Sequence, residues 1–175
     1  MATYKIDPAH SEITFKVKHL VISNVSGNFS KYDATMTTDK ADFTDAQIYF
    51  EADVNSVSTN SEQRDGHLKS DDFFNAEKFP KITFKSTSVE KKSGDEYTLN
   101  GNLTIRDITK PVSLHVVHGG NMVDPWGQHK EGFEITGKIS RKEFGLKWNA
   151  ITEAGGAVVS DDVRLILNVQ MIKQA

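Results

Sequence analysis

Apolar and polar residues alternate along much of this chain with a period of two. The alternation runs through residues 13–17, 46–54, 82–84, 97–105, 112–116, 133–139 and 163–171. Because successive side chains of a β-strand point to opposite faces, this pattern predicts strands with one buried and one wet face. Together with a further strand over residues 29–36, it predicts about eight strands.

Short segments rich in glycine, proline and aspartate separate these runs. They predict a hairpin loop at residues 92–95, a short connection at 107–111 and a turn at 124–127. Strands joined in this way usually pair with their sequence neighbours, so the expected sheet is antiparallel.

Two stretches depart from the alternation. Asn60, with Gln63 three residues later, predicts the capped start of a short helix that ends near Lys69 and follows the third strand. Residues 141–148 predict a turn of 3₁₀ helix or a bent strand. Neither stretch can form a second layer, so residues 1–175 are expected to form a single domain.

Eight strands with one buried face can pack as two sheets or close into one barrel. Closure removes exposed edges, and an eight-stranded barrel can be filled by its own side chains or can hold one small ligand. The alternation is compatible with both interiors, since apolar inward residues are needed for folding in either case.

Composition narrows the classes of function. A net charge of −3 with interleaved acidic and basic residues argues against broad, non-specific nucleic-acid binding. The absence of cysteine excludes disulfides, zinc–cysteine sites and thiol nucleophiles. No segment has the apolar length of a signal peptide or a membrane span. A cytoplasmic location is expected if Met1 is the natural start, and a periplasmic or secreted one if a signal peptide was removed.

The sequence gives little support for metal binding or catalysis. The six histidines lack the close pairing of motifs such as HExxH, so no metal site is expected. There is no G-x-S-x-G elbow and no glycine-rich phosphate loop. A triad of Ser140, His67 and Asp65 can be assembled on paper, which keeps an enzyme as the rival class.

The segment Arg64-Asp65-Gly66-His67-Leu68, followed by Asp72-Phe73-Phe74, resembles the YceI-like family of lipocalin-fold proteins. Members of that family carry an Arg-Asp-x-His-Leu segment followed by Asp-Phe-Phe. The resemblance continues in order through residues 7–19, 79–86, 101–112 and 137–145. Asp107 and Ser140 depart from the family pattern, where glycine and asparagine are usual.

The resemblance implies an all-β fold, an extended eight-stranded antiparallel lipocalin-like barrel with one short helix after the third strand. It implies an elongated apolar cavity that holds a polyisoprenoid, an isoprenoid quinone or its precursor, or a fatty amide. Non-catalytic binding, storage or transport of such a lipid is therefore expected, with no cofactor and no stable membrane insertion. A lipid-modifying hydrolase or isomerase, a filled interaction module and a homodimer stay open as alternatives.

The candidate site divides into a cavity wall and a mouth. The expected wall residues are Phe15, Val17, Phe29, Phe50, Phe73, Phe74, Phe84, Leu103, Ile105, Leu114, Phe133, Ile139 and Phe144. The expected headgroup or mouth residues are His19, Arg64, His67, Trp126 and Trp148. His67 can equally be a buried residue that ties the helix to the barrel, with Arg64 and Asp65 pairing each other. Phe73, Phe74 and Phe79 can form a flap or belong to the core.

Overall fold

The computed structural model describes residues 1–19, 23–146 and 159–175, with the side chain of residue 19 excepted. These residues form one sheet of eleven strands and one α-helix, α1, at Glu62–Lys69. The strands are β1 Ala2–Ile6, β2 Glu12–His19, β3 Ser23–Phe29, β4 Tyr32–Thr38, β5 Gln47–Asp53, β6 Val57–Ser58, β7 Lys81–Ser93, β8 Glu96–Ile105, β9 Ile108–Val123, β10 His129–Ser140 and β11 Val159–Lys173.

The eleven strands form a barrel of eight, because three strands of a meander are each broken in two. A 3₁₀ turn at Pro8–His10 separates β1 from β2, a bend at residues 30–31 separates β3 from β4, and a 3₁₀ turn at Val54–Ser56 separates β5 from β6. β2 and β1 pair antiparallel with β3 and β4, which pair in turn with β6 and β5.

The barrel closes where the last strand meets the first. β11 pairs with β10 along one edge and with β2 and β1 along the other. The predicted closed antiparallel barrel of eight strands is therefore confirmed, and the two-sheet alternative is wrong. The single α-helix follows the third strand of the meander, as expected.

The N-cap of the helix lies one residue later than predicted. Ser61, and not Asn60, is the N-cap, and its hydroxyl accepts a hydrogen bond from the Arg64 backbone N–H at 3.3 Å. Asn60 lies before the helix in the left-handed region, with φ 62°. That conformation turns the chain out of β6 and leaves the capping position to Ser61.

The connection predicted at residues 107–111 is wrong. The turn consists of Arg106 and Asp107, and β9 already begins at Ile108, so Pro111 lies within a strand opposite Asn102. A two-residue hairpin needs positive φ, which Arg106 supplies with φ 56°. The strand predicted over residues 29–36 is likewise interrupted, at residues 30–31.

The other predicted irregular segments are found where they were expected. Gly94 and Gly127 supply the positive φ angles of the turns within 92–95 and 124–127. A 3₁₀ turn at Lys142–Phe144 follows β10. Residues 147 and 148 of the predicted segment, Trp148 included, lie outside the described residues.

Two inward-facing glycines make room for phenylalanine rings of neighbouring strands. A Cβ at Gly101 would lie 2.3 Å from Cζ of Phe84, and a Cβ at Gly27 would lie 2.3 Å from Cζ of Phe15. Each ring therefore rests against the backbone of the next strand. The rings lie along the wall and leave the bore of the barrel open.

One end of the barrel is covered by the loop between β4 and β5. Phe43 of this loop is 8 % exposed and reaches across the bore to the opposite wall. Its ring makes edge-on contacts with Phe133 at 5.5 Å, His118 at 5.3 Å and Tyr97 at 6.5 Å between centroids. We call this side the closed end and the side that carries α1 the helix end.

Behind Phe43 the closed end contains a buried carboxylate. Glu131 is 4 % exposed, and its two oxygens lie 2.8 Å from Nε2 of His118 and 2.5 Å from Nε2 of His129. A buried carboxylate requires such partners, because an unpaired charge in an apolar interior is costly. This cluster therefore completes the floor of the barrel.

Asp45 holds the loop that covers the closed end. Its carboxylate accepts hydrogen bonds from the Thr38 hydroxyl at 2.6 Å and from the backbone N–H groups of Asp39 and Lys40 at 2.8 and 3.1 Å. These bonds, the one from Thr38 foremost, lower the pKa of Asp45 to about 2. The loop is thus stabilised by the ionised form of Asp45.

Replacing Gly101 by alanine is expected to destabilise the barrel. The new methyl group would lie 2.6 Å from the backbone oxygen of Lys85, which cannot move independently, so the free energy of unfolding should fall by about 1–3 kcal/mol. Gly66 in α1 is the matched control, because a methyl group there meets nothing within 4 Å. Gly66→Ala should be neutral or stabilising by about 0.5–1 kcal/mol. Denaturant titration measures both, and equal effects of the two changes would contradict this packing.

The substitution Asp45→Asn is expected to lower the melting temperature near neutral pH. A carboxyl whose pKa is depressed on folding stabilises the native state above its unfolded pKa, and that contribution is lost as pH falls through the folded value. The difference between wild type and variant should therefore be complete above about pH 5 and close as the pH falls towards about 2. Thermal unfolding followed by circular dichroism at several pH values tests this. A difference that persists undiminished at the lowest pH would show that the charge of Asp45 is not what holds the loop.

Candidate functional site

The interior of the barrel contains a cavity of about 630 Å³. Side chains from all eight strands of the meander line it, and nearly all of them are aliphatic or aromatic. Ligand pockets in proteins usually measure about 300–1,000 Å³, so this volume suits one small molecule.

The cavity is long as well as apolar. Five alternate residues of β11, from Val163 to Met171, all contribute to its wall. At a rise of about 3.3 Å per residue they cover roughly 26 Å of strand, or roughly 20 Å along the axis for a usual strand tilt. The shape therefore favours an extended chain over a compact ring system.

The structure brings most of the predicted wall residues together. Twelve of the thirteen line the cavity, namely Phe15, Val17, Phe29, Phe50, Phe73, Phe74, Phe84, Leu103, Ile105, Leu114, Phe133 and Ile139. Phe144 does not. It is 1 % exposed and belongs to the packed core of the 3₁₀ turn that contacts β9. Phe144 lies in the 3₁₀ turn after the end of β10, so it does not continue the row of inward-facing side chains of that strand.

The polar part of the wall lies at the helix end. Within the described chain, all the lining side chains that carry a charge, an imidazole or an amide are found there: Gln63, Arg64, His67 and Arg141. Thr59 and Ser61 add hydroxyl groups. An amphipathic ligand would therefore meet polar groups at this end and apolar groups along the remaining length.

The pairing of Arg64 with Asp65 that the sequence suggested is not found. Both contact Thr59 instead. Nε of Arg64 donates to the Thr59 hydroxyl at 2.8 Å and Nη2 donates to the Thr59 carbonyl at 2.7 Å. Asp65 accepts from the backbone N–H of Thr59 at 2.8 Å and from its hydroxyl at 2.6 Å. These bonds attach the first turn of α1 to the end of β6.

His67 faces the cavity from the second turn of α1. Its Nε2 lies 2.8 Å from a carboxylate oxygen of Asp72, and its ring packs edge-on against Phe73 at 5.0 Å. Phe73 and Phe74 line the cavity, and Phe74 packs against Phe29 at 6.2 Å. The two phenylalanines are thus part of the core and cover the helix end at the same time.

Trp126, which was also predicted at the mouth, does not lie with this group. Trp126 is 83 % exposed at the tip of the β9–β10 hairpin, which is at the closed end of the barrel. An aromatic residue in a turn gives no indication of which end of a barrel the turn occupies, which explains this error. The side chain of His19 and all of Trp148 lie outside the described residues.

Arg141 contributes to the site and was not among the predicted residues. It is 4 % exposed, and its guanidinium donates to the carbonyl oxygens of Ser160, Leu146 and Val159 at 2.8, 2.9 and 3.2 Å. Burial lowers its pKa, against the opposing effect of Asp161. Because those carbonyls belong to Leu146 and to the first two residues of β11, Arg141 attaches the start of β11 to the residues that follow β10.

The serine, histidine and aspartate of the hypothetical triad are not assembled. Ser140 donates to Asp161 at 2.6 Å, while His67 contacts Asp72 and Asp65 contacts Thr59. Burial works to raise the pKa of Asp161, but the bonds from Ser140 and from the Lys142 backbone, together with nearby positive charge, lower it overall.

Among the described residues, no cluster of histidine and acidic side chains is arranged to hold a metal ion.

Phe43 is a wall residue that the alternation could not reveal and that was not among the predicted residues. It lies in a loop among aspartates, and its position across the bore depends on the path of that loop. Ile48, Leu165 and Leu167, in contrast, stand in the inward rows and could have been added from the period alone.

Among the described residues, no helix is long and apolar enough to cross a membrane.

Comparison with known proteins agrees with this architecture. The YceI-like domain model matches residues 4–171. Protein YceI of Salmonella newport is 42 % identical over an alignment 175 residues long, which covers 99 % of this chain and 88 % of that protein.

Solved structures share the fold. BcnA of Burkholderia cenocepacia superposes with a TM-score of 0.81 over 94 % of this chain and 98 % of its own, at 22 % identity. A polyisoprenoid binding domain from Saccharophagus degradans superposes with a TM-score of 0.67 over 98 % of each chain, at 14 % identity. With one family model across nearly its whole length and a relative of this identity, the chain belongs to the YceI-like family.

Proposed function

We propose that this protein binds one long-chain apolar lipid in its barrel, for storage or transport and without chemical change. The observation that carries the proposal is the cavity itself, about 630 Å³ in volume, apolar along its length and polar at the helix end. A molecule with a long hydrocarbon chain and a small polar headgroup matches that distribution.

The energetics favour a chain over a polar ligand. Each methylene group transferred from water into the bore contributes about 0.8 kcal/mol. A wall made of leucine, isoleucine, valine and phenylalanine offers polar groups no compensating hydrogen bonds, so their burial there would be costly.

An isoprenoid chain is the proposed tail. The Saccharophagus degradans neighbour, which shares this fold, is described as a polyisoprenoid binding domain. Polyprenyl chains, isoprenoid quinones and their precursors, and fatty amides all combine a long apolar chain with a compact head. The length of the apolar wall supports this class.

The headgroup is proposed to lie beside Arg64 and His67. In the part of the chain that the structure describes, no carboxylate forms an ion pair with Arg64, whose guanidinium donates to the neutral hydroxyl and carbonyl oxygens of Thr59. Guanidinium groups bind phosphate oxygens strongly, so an anionic head such as a diphosphate would be favoured over a neutral one.

Simple binding is proposed over catalysis because the candidate catalytic groups are occupied elsewhere. Ser140, His67 and Asp65 each contact a different partner. The polar groups at the helix end are suited to holding a headgroup in place. This distinguishes the proposal from a hydrolase or isomerase working in the same cavity.

Filling part of the bore should weaken lipid binding without unfolding the barrel. Leu167 faces the cavity and is only partly buried, so a larger side chain there can enter the bore. Leu167→Trp should reduce the affinity for geranylgeraniol at least about tenfold, since several methylene sites are lost. Asn168→Trp, at the next and outward position, is the matched control and should bind as wild type.

The same proteins, purified without detergent, can be examined by native mass spectrometry. Wild type and Asn168→Trp are expected to carry an apolar adduct that organic extraction removes, and Leu167→Trp is expected to lack it. A wild-type protein that neither carries nor takes up a prenyl chain would refute the lipid-carrier proposal. Turnover of a lipid that is lost in His67→Ala would favour the enzyme instead.

The headgroup assignment has its own test. Arg64→Gln should weaken binding of geranylgeranyl diphosphate about tenfold or more, because a charge-assisted hydrogen bond contributes roughly 1.5–3 kcal/mol, and should leave geranylgeraniol binding nearly unchanged. Arg64→Lys keeps the charge and should recover part of the loss. Equal weakening for both ligands would place the headgroup elsewhere.

A further inference from the structure

The helix end of the barrel is covered by a lid made of α1 and the following residues 70–79. The lid places His67, Phe73 and Phe74 against the cavity. None of the residues of α1 is fully buried, so the helix is held by few apolar contacts of its own. Segments with little buried apolar surface and with exposed hydrogen bonds are those that open first in a folded protein.

A ligand would enter and leave the barrel at the helix end, past the lid. At the other end, Phe43 spans the bore and packs against residues of three strands of the opposite wall, and the Glu131 cluster lies behind it. Opening that end would expose a buried carboxylate together with an aromatic cluster. Movement of the lid would withdraw Phe73 and Phe74 from the cavity wall, but the charged side chains of residues 62–79 are already exposed or half-buried.

One edge of the lid is attached close to its own start. Arg64 and Asp65 both bond to Thr59, which directly follows β6 and lies only five or six residues away in sequence. Such short-range bonds are preserved when a segment rotates about its first residues. This edge therefore has the character of a hinge.

The other edge is held by a residue that is distant in sequence. Arg106, in the turn between β8 and β9, donates from Nη1 to the carbonyl oxygens of Asp71 and Phe73, both at 2.9 Å. Its Nη2 donates to the Asp71 carboxylate at 2.9 Å, and its guanidinium lies 5.7 Å from the centre of the Phe79 ring. A single side chain thus contacts three residues of the lid.

We propose that Arg106 is the latch of this lid, a positioning residue that sets how fast lipid enters and leaves the barrel. The part that concerns lipid rests on the function proposed above. Arg106 does not touch the cavity, and it acts through the backbone of Phe73, whose ring lines the cavity. Its own backbone has a left-handed conformation, which directs the side chain across the edge of the barrel towards the lid.

The latch depends on the shape of the guanidinium more than on its charge. Asp71 is 81 % exposed in its side chain, so its ion pair with Arg106 contributes little. The two carbonyl oxygens are neutral acceptors, and both accept from Nη1, while Nη2 in the same plane donates to Asp71 and the guanidinium lies against the Phe79 ring. Lysine, which has a single ammonium group on a flexible stem, cannot reproduce this arrangement.

The first test measures exchange of parinaric acid, a naturally fluorescent long-chain fatty acid, by stopped flow. Arg106→Ala should raise both the association and the dissociation rate about tenfold, because opening of the lid precedes both steps. The dissociation constant should change less than about threefold. Arg106→Lys should behave like Arg106→Ala, and Asp71→Ala should alter either rate less than twofold. Arg164→Ala, at an exposed position on β11, is the matched control and should match wild type.

The second test needs no ligand. Hydrogen exchange of the empty protein should become about tenfold faster in residues 62–79 of Arg106→Ala, with the rates in β4, β5 and β11 unchanged. A residue that merely stabilises the whole fold would accelerate exchange in the strands as well. This measurement separates the latch from a general structural role.

The two tests fail in different ways. If wild type binds no parinaric acid or prenyl chain, the lipid function is refuted while the exchange measurement still decides whether Arg106 latches the lid. If exchange in residues 62–79 is unchanged in Arg106→Ala, or rises equally throughout the barrel, the latch is refuted. If lipid binds but the dissociation constant rises with no change in association rate, Arg106 does not control entry and the proposal is overturned.

Discussion

The pairing of β11 with strands on both of its edges is the constraint on which the rest of this structure depends. Its fifteen residues join β10 along one side and the broken first strand along the other. Without this second edge the sheet would stay open, and its inward row of aliphatic and aromatic side chains would face water. In an open sheet, a second layer would have to cover this apolar face. In the closed barrel, the same face becomes the wall of an enclosed space.

Closure alone does not keep that space empty. Eight strands enclose an interior narrow enough for side chains to fill, so the disposition of the large residues decides the outcome. Phe84 and Phe15 rest over Gly101 and Gly27 of neighbouring strands, which keeps their rings close to the wall. The small inward residues Ala34, Ala46 and Ala52 widen the bore on the side of β4 and β5. The hollow interior is thus a property of paired positions on adjacent strands.

This explains what the sequence could and could not predict. The period of two identified the strand walls, because inward direction along a strand is a local property. Ten of the twelve predicted residues that line the cavity lie in strands, whereas Phe73 and Phe74 follow the helix and were predicted from the segment that contains them. Phe43 and the partners of Arg64 and Arg106 depend on where loops cross the barrel ends, which alternation does not encode. Trp126 was placed at the wrong end for the same reason. The glycine–phenylalanine pairs require the register between strands, so a hollow barrel could be expected from the family resemblance but not from periodicity.

The two ends of the barrel are held by interactions of different strength, and this difference gives the cavity a direction. The closed end joins a cross-bore aromatic cluster to a buried carboxylate with two histidine partners, so opening it would lose both the aromatic packing and the bonds of the carboxylate. The helix end is held on one edge by the bonds of Arg64 and Asp65 to Thr59, and on the other edge by Arg106, whose ion pair with Asp71 is exposed. The same lid carries Arg64 and His67, which are proposed to contact the headgroup. A ligand that bonds to them would hold the lid shut, since binding to one state of a two-state element shifts it towards that state. A ligand with the same chain but without a headgroup would then leave the barrel faster than the headgroup-bearing ligand, although both bury the same apolar area.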